Sequence, residues 1–264
     1  MVATALTIAG SDSGGGAGIQ ADLKAFGAMG VFGCSVVTAV TAQNTTDVTA
    51  VHPIPDDVVA EQIKAVLSDI RVDAIKIGML GAPSLIETVA DALSGFDGAI
   101  VLDPVMIAKS GVALLQDSAI GALKSNLVPR ATLLTPNLPE AAKLLDLTDD
   151  QNMPLQDQAE ALALLGAGAV LMKGGHASGD ACTDFLVSDG TVLQLDAPRI
   201  ETQNTHGTGC SYSSAIAACL AKGQDLSNAV RYAHDWLHEA ITQADSLNIG
   251  HGHGPVHHFH ALWK

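Results

Sequence analysis

Within Asn204-Thr205-His206-Gly207-Thr208-Gly209-Cys210, one turn of chain carries a complete set of groups for handling an anion. The stretch ends a polar connection and opens an apolar, alanine-rich helix. Two glycines let the backbone approach a ligand closely, and the first amides of a helix have no intrahelical partner, so they can bind an anion. Cys210 falls in the first helical turn, where the positive end of the dipole favours a thiolate. A phosphate cradle beside a proton acceptor points to phosphoryl transfer onto a small molecule.

Three further groups of residues could serve the same chemistry. Asp103-Pro104-Val105-Met106 follows an apolar strand, with Lys109-Ser110-Gly111 beyond it. A carboxylate at a strand C-terminus can hold Mg²⁺ or polarise its water shell; a turn-forming Asp-Pro is the plainer alternative. Asn137-Leu138-Pro139-Glu140 has the spacing of a helix cap with an acidic first turn, and a metal role rests on the company it keeps. Lys173-Gly174-Gly175-His176 offers an ammonium and glycines that admit a phosphate, against the alternative of a solvated turn. The run Gly10 to Gly18 suggests a close-approach wall of a substrate pocket, or simply a tight strand–helix turn. It is no dinucleotide fingerprint, because Ile19 stands where the third glycine belongs and no acidic residue ends the next strand. No Gly-Lys dipeptide occurs, so a Walker A loop is excluded, and the protein-kinase signatures are absent. His251, His253, His257, His258 and His260 lack a metal-ligand pattern and read as a structural tail. Cys34, Cys182 and Cys219 lie in apolar contexts and read as core residues.

The elements that must position these groups alternate between strand and helix. Strands are expected at Ala5–Ala9, Cys34–Val40, Ala74–Ile77, Ala99–Leu102, Thr132–Leu134 and Ala169–Met172. Helices are expected at about Ala17–Met29, Asp56–Asp69, Ser84–Leu93, Gln116–Asn126, Pro139–Leu145 and Leu155–Gly166. Asp184–Val187 and Thr191–Leu195 flank an Asp-Gly hairpin signal. Two long helices close the chain, the last at about Leu226–Ala244 with a continuous apolar stripe. Repeated βα units imply a mainly parallel sheet covered on both faces, with the hairpin at one edge. Ligands on such sheets bind beyond the strand C-termini, where all the groups above fall. Thr148–Pro154 is the most loop-like interior segment, and no linker divides the chain, so one domain over 1–264 is expected.

Composition narrows the partners. The 264 residues carry a formal net charge of −15, which argues against a nucleic-acid surface. An acidic chain that binds a polyanion must use local devices: helix N-termini, a few placed lysines and a divalent cation. No apolar run approaches the roughly 18 residues needed to cross a membrane, so no membrane association is expected. Met1 to Leu6 lacks the basic region of a signal peptide and reads as the start of a strand. Four scattered cysteines without CxxC spacing suit a reduced, cytoplasmic protein.

Taken together, these residues resemble the hydroxymethylpyrimidine/phosphomethylpyrimidine kinases of thiamine biosynthesis, in the ribokinase-like superfamily. The resemblance runs nearly end to end: Ala9 to Asp12, Gly18 to Lys24, Val40 to Asn44, Lys76 to Leu80, Asp103 to Met106, Leu134 to Glu140, Met172 to His176 and the opening heptapeptide. It implies a three-layer α/β/α sandwich and two successive ATP-dependent phosphorylations at one site. The first acts on 4-amino-5-hydroxymethyl-2-methylpyrimidine, the second on its monophosphate. By matching positions, Asp22 and Gln43 should hydrogen-bond the aminopyrimidine, with Gly10, Ala17, Met79 and Met106 as walls. Asn137 and Glu140 take a role with Mg²⁺ and ATP through water, with Asp103 nearby. Lys173 and Thr208 contact phosphates, and the amides of Gly207, Thr208, Gly209 and Cys210 stabilise developing charge. Sugar kinases of the superfamily have an aspartate base where Cys210 stands, so Cys210 is expected to accept or position the hydroxymethyl proton in the first reaction. His234 replaces a lysine of many relatives and leaves the adenine side open, and Thr148–Gln158 matches poorly. The resemblance also implies a homodimer. A pyridoxal or pyridoxine kinase is the nearest alternative, and a non-catalytic pyrimidine sensor a more distant one.

Overall fold

The computed structural model describes residues 1–107, 111, 114–147, 153–175 and 179–263. Lys109, Ser110, His176 and residues 148–152 of the expected loop lie outside the described residues. In chain order the strands are β1 (Thr4–Asp12), β2 (Phe32–Gln43), β3 (Val48–Pro53), β4 (Ala74–Ile77), β5 (Ala99–Leu102), β6 (Leu133–Leu134), β7 (Ala169–Met172), β8 (Ala181–Ser188) and β9 (Thr191–Pro198). The helices are α1 (Gly18–Ala28), α2 (Asp56–Leu67), α3 (Pro83–Ala92), α4 (Asp117–Asn126), α5 (Leu138–Leu144), α6 (Leu155–Ala163), α7 (Thr208–Ala221) and α8 (Leu226–Thr242).

The strands form one sheet in the order β3-β2-β1-β4-β5-β6-β7-β8-β9. Its middle, from β2 to β7, is parallel; β3 at one edge and β8–β9 at the other are antiparallel. Short strands such as Ala74-Ile75-Lys76-Ile77 and Ala169-Val170-Leu171-Met172 are buried along their whole length. That is what a parallel sheet covered on both faces requires, and it explains apolar runs without alternation. On one face Leu6, Ile8, Ile75, Ile77 and Leu102 pack with the apolar stripes of α2 to α6. On the other, smaller side chains such as Ala5, Ala74, Val101 and Ala169 admit α1, α7 and α8 close to the sheet. The result is a ribokinase-like α/β/α sandwich.

Two expectations are corrected. First, β1 does not stop at Ala9 but runs through Gly10 and Ser11 to Asp12, across a register shift against β2 between Ala9 and Ser11. Second, antiparallel hairpins lie at both edges. Strand β3 went unnoticed because its residues are nearly all exposed and show no apolar alternation.

Strand β2 lies on one side of β1, whereas β4 and its successors lie on the other. The connections therefore diverge between β1 and β4 and open a crevice at the carboxyl ends of the strands.

Candidate active site

A cavity of about 760 Å³ occupies that crevice, a size ordinary for a ligand site. Gly10, Ala17, Gln43, Met79 and Met106 line it from β1, the turn after it, the end of β2 and the segments that follow β4 and β5. Asp103, Asn137, Glu140 and Lys173 line it from β5, α5 and β7, and Gly207 to Cys210 from the start of α7. By sheet order the other end belongs to β8, β9 and α8, with Pro198, Ile200, Leu237 and Ile241 beside His234 and His238.

The two glycine-rich segments are built as one unit. The Asp12 carboxylate accepts the amides of Gly14 at 2.8 Å, Gly16 at 3.0 Å and Ala17 at 2.8 Å, so it organises the turn before α1. It also lies 2.8 Å from His206 Nε2. Burial opposes its ionisation, but the His206 and amide hydrogen bonds hold its pKa below the usual carboxylate value. Gly207, the residue before α7, has φ 76° and no side-chain cap, and a Cβ there would run into the carbonyl oxygen of Gly16. Glycine is required on both counts. The wall and the anion loop thus touch backbone to backbone.

The start of α7 faces the lysine end of β7. A Cβ added to Gly209 would lie 3.3 Å from Lys173 Nζ and 3.7 Å from an Asp103 oxygen. Lys173 donates to Asp103 Oδ1 at 2.8 Å, and Asp103 also accepts from Thr135 at 3.2 Å and Ser213 at 3.3 Å. Against burial, Lys173 and Lys76 keep Asp103 ionised, and Asp103 and Glu140 keep Lys173 charged. The N-terminus of α7, an ammonium and two carboxylates therefore converge where a phosphate chain would lie, although the Thr208 amide is already given to the Thr205 carbonyl at 3.3 Å.

Asn137 and Glu140 take the cap arrangement that their spacing predicts. They form a capping box on α5: Glu140 N donates to Asn137 at 3.0 Å, and Asn137 N donates to Glu140 Oε2 at 2.8 Å. Burial, with the Asp103 charge and against the pull of Lys173, pushes the Glu140 carboxyl up to about 7. Among the described residues no three His, Cys, Asp or Glu side chains converge as a direct metal cage. Asp103 and Glu140 do fit Mg²⁺ held largely by water and phosphate oxygens, which Mg²⁺ prefers. A cation there would also relieve the repulsion that raises Glu140.

Three expectations about single residues change. Asp22 does not line the cavity. Helix α1 turns it onto the sheet, fully buried, where it binds Lys76 Nζ at 2.9 and 3.0 Å, Thr7 at 2.6 Å and Ser214 at 2.7 Å. Lys76 is the residue of that pair that reaches the cavity wall. Cys210 faces the cavity, but its thiol is pushed up to about 11 by burial, with Asp22 and Asp103 adding to the effect against the pull of Lys76. Helix position alone does not make it a thiolate. Cys182, expected in the core, lines the cavity from β8; Cys34 and Cys219 are buried.

Sequence reasoning missed Lys76 and Asp184. One lysine in an apolar strand and one aspartate on the buried face of α1 were a legible signal, since buried charges come paired. Asp184 accepts the Gly174 amide at 2.8 Å and so pins the segment after Lys173, although burial raises its own pKa. The histidine-rich tail packs as structure: His257 and His258 are buried, and His258 Nε2 lies 2.8 Å from Ser211 Oγ of α7.

A family model described as phosphomethylpyrimidine kinase matches residues 12–257. A hydroxymethylpyrimidine/phosphomethylpyrimidine kinase of Rhizobium meliloti is 53% identical over 100% of both chains. Among solved structures, a Bacillus subtilis pyridoxal kinase in an ADP complex superposes with a TM-score of 0.91, at 34% identity and 100% coverage of both chains. A phosphomethylpyrimidine kinase from Clostridium difficile gives 0.79 at 41% identity, covering 90% of this chain and 99% of that one. The match along nearly the whole length and the arrangement of the cavity lead to one conclusion: the chain belongs to the phosphomethylpyrimidine kinase family.

Proposed function

We propose that this protein phosphorylates the hydroxymethyl group of 4-amino-5-hydroxymethyl-2-methylpyrimidine with ATP and then phosphorylates the monophosphate to the diphosphate, as a step of thiamine biosynthesis. One observation carries the reading. The N-terminus of α7, Lys173 and the Asp103–Glu140 carboxylates meet in the same cavity as Gln43, Met79 and Met106. An apolar slot with a few polar groups suits a flat neutral heterocycle, and the charged end suits a phosphate chain.

In the proposed mechanism, Gln43 orients the ring between Met79, Met106, Ala17 and Gly10. Lys173 and Thr208 hold phosphate oxygens, and the amides of Gly207, Gly209 and Cys210 meet the charge that develops on the transferred group. Asn137, Glu140 and Asp103 would hold a hydrated Mg²⁺, whose charge would offset that of the phosphates. Cys210 orients the hydroxymethyl oxygen. Its thiol is protonated at neutral pH, so the hydroxyl proton leaves late in a loose transition state and passes to a phosphoryl oxygen. Asp22 acts at one remove, by neutralising Lys76. The proposal extends to one kinase domain over 1–264, a homodimer and a cytoplasmic location. Four free cysteines support the last of these, and no helix among the described residues is long and apolar enough to cross a membrane.

Pyridoxal is the second acceptor to weigh, because the pyridoxal kinase likeness covers the full chain. ADP release measured with hydroxymethylpyrimidine, its monophosphate and pyridoxal tests the proposal. Turnover of both pyrimidines, with pyridoxal slower, is expected. Turnover of pyridoxal alone, or of none, would refute it.

A further inference from the structure

Gln43 has its backbone fixed from one side: Ser13 Oγ donates to its carbonyl at 2.7 Å and accepts from its amide at 2.9 Å. Its side chain meets two groups. Thr41 Oγ1 lies 3.2 Å from Oε1, and His206 Nε2 lies 3.2 Å from Nε2. The hydrogens in this network follow from Asp12. That carboxylate already accepts the Gly14, Gly16 and Ala17 amides, and its pKa is lowered. A charged carboxylate has no proton to give, so the 2.8 Å contact requires a hydrogen on His206 Nε2.

An imidazole N–H cannot face an amide N–H, and the single Nε2 hydrogen, given chiefly to Asp12 at 2.8 Å, can be shared at 3.2 Å only with a second acceptor, as a three-centre bond. The side-chain amide of Gln43 therefore sits turned by half a revolution, with its oxygen toward His206; nitrogen and oxygen of an amide are distinguished by their partners. Thr41 accommodates the turned amide. Thr41 donates its own proton to the Ser11 carbonyl at 2.9 Å, which leaves its oxygen free to accept from the Gln43 amide. One N–H and one carbonyl lone pair of Gln43 remain for a ligand.

We infer that His206 is a positioning residue that sets substrate specificity: anchored on Asp12, it fixes the amide of Gln43 in one orientation, so that the site accepts a 4-aminopyrimidine and rejects its 4-oxo counterpart. The inference rests on the pyrimidine kinase reading. The free amide edge pairs a donor with an acceptor, as a ring nitrogen beside an exocyclic amine demands, in the way glutamine reads adenine. The oxo ring presents the reverse pattern, an N–H beside a carbonyl. With its hydroxymethyl group held at Cys210, the ring cannot turn over to compensate. A freely rotating Gln43 would pair with either ring.

The test compares kcat/KM for 4-amino- and 4-oxo-5-hydroxymethyl-2-methylpyrimidine in the wild type, His206→Met and His206→Gln. Methionine removes the N–H, and the amino-to-oxo ratio should fall roughly tenfold to a hundredfold, with the KM for ATP unchanged. Glutamine restores an N–H near the Nε2 position and should bring the ratio back to within a few-fold. A purely structural role would lower turnover of both rings and leave the ratio intact, which would overturn the inference. A wild type that phosphorylates neither ring would instead remove the functional reading beneath it. If His206→Met fails to fold, long-range ¹H–¹⁵N correlation on the wild type decides: a hydrogen on Nε2 is expected, and one on Nδ1 alone would overturn the assignment.

Discussion

Cys210 stands where Lys76, Asp22 and Asp103 act on one sulfur, and burial outweighs the help that the lysine and a backbone hydrogen bond at Gly18 give. A protonated thiol can orient a hydroxyl but supplies no base. Cys210→Ala should therefore cost the first phosphorylation, whose acceptor is an alcohol, about tenfold or more. The second, whose acceptor is already a phosphate oxygen, should lose far less. Single-substrate kinetics check this; equal losses would remove Cys210 from the first step. Asp22 presents the opposite case, a residue that matters without touching the cavity. Asp22→Asn leaves Lys76 charged and buried without its counter-ion, and should destabilise the fold by about 3–5 kcal/mol. Denaturant unfolding measures it, and a loss below about 1 kcal/mol would contradict the pairing.

The elements divide into those whose sequence states their form and those that do not. Strands β4, β5 and β7 could be read to the residue, because a short apolar run bounded by turns has few other uses in a repeated βα pattern. Strand β3 could not, since its exposed residues carry no burial signal. The end of β1 was hidden by Gly10 and Ser11, whose types suggest a turn while their neighbours in β2 hold them extended. At the site, motifs announced the groups that touch a ligand but not those that hold them. The Asp12–His206 contact joins residues 194 positions apart, beyond any local pattern. The same long-range seam yields a prediction for α7. Gly207→Ala adds a Cβ at positive φ against the Gly16 carbonyl. The left-handed conformation alone costs about 1–2 kcal/mol, and the loop must also separate from the wall. ADP release should fall by about a hundredfold or more, whereas unchanged activity would show that the two segments need not touch.

Across the whole molecule, the charge arrangement sets a pH response. Glu140 holds its proton up to about 7, against 4.5 for an ordinary glutamate. Between those values the folded chain binds more protons at this site than the unfolded chain, so its contribution to stability falls as pH rises through that window. Asp12 and Asp103 are lowered and act the other way, stabilising above the usual carboxylate range and losing that effect in acid. Glu140→Gln should flatten the decline in Tm between about pH 4.5 and 7; an unaltered slope would refute the assignment. Addition of Mg²⁺ and ATP near pH 6.5 should release protons in the wild type and fewer in the variant. The central claim is that one cavity performs both transfers, because α7, Lys173 and Gln43 all border it. The most direct measurement is a ³¹P NMR time course with hydroxymethylpyrimidine and excess ATP. The account predicts a monophosphate that rises and then gives way to the diphosphate, with two ADP formed per pyrimidine; arrest at the monophosphate, with one ADP, would contradict it.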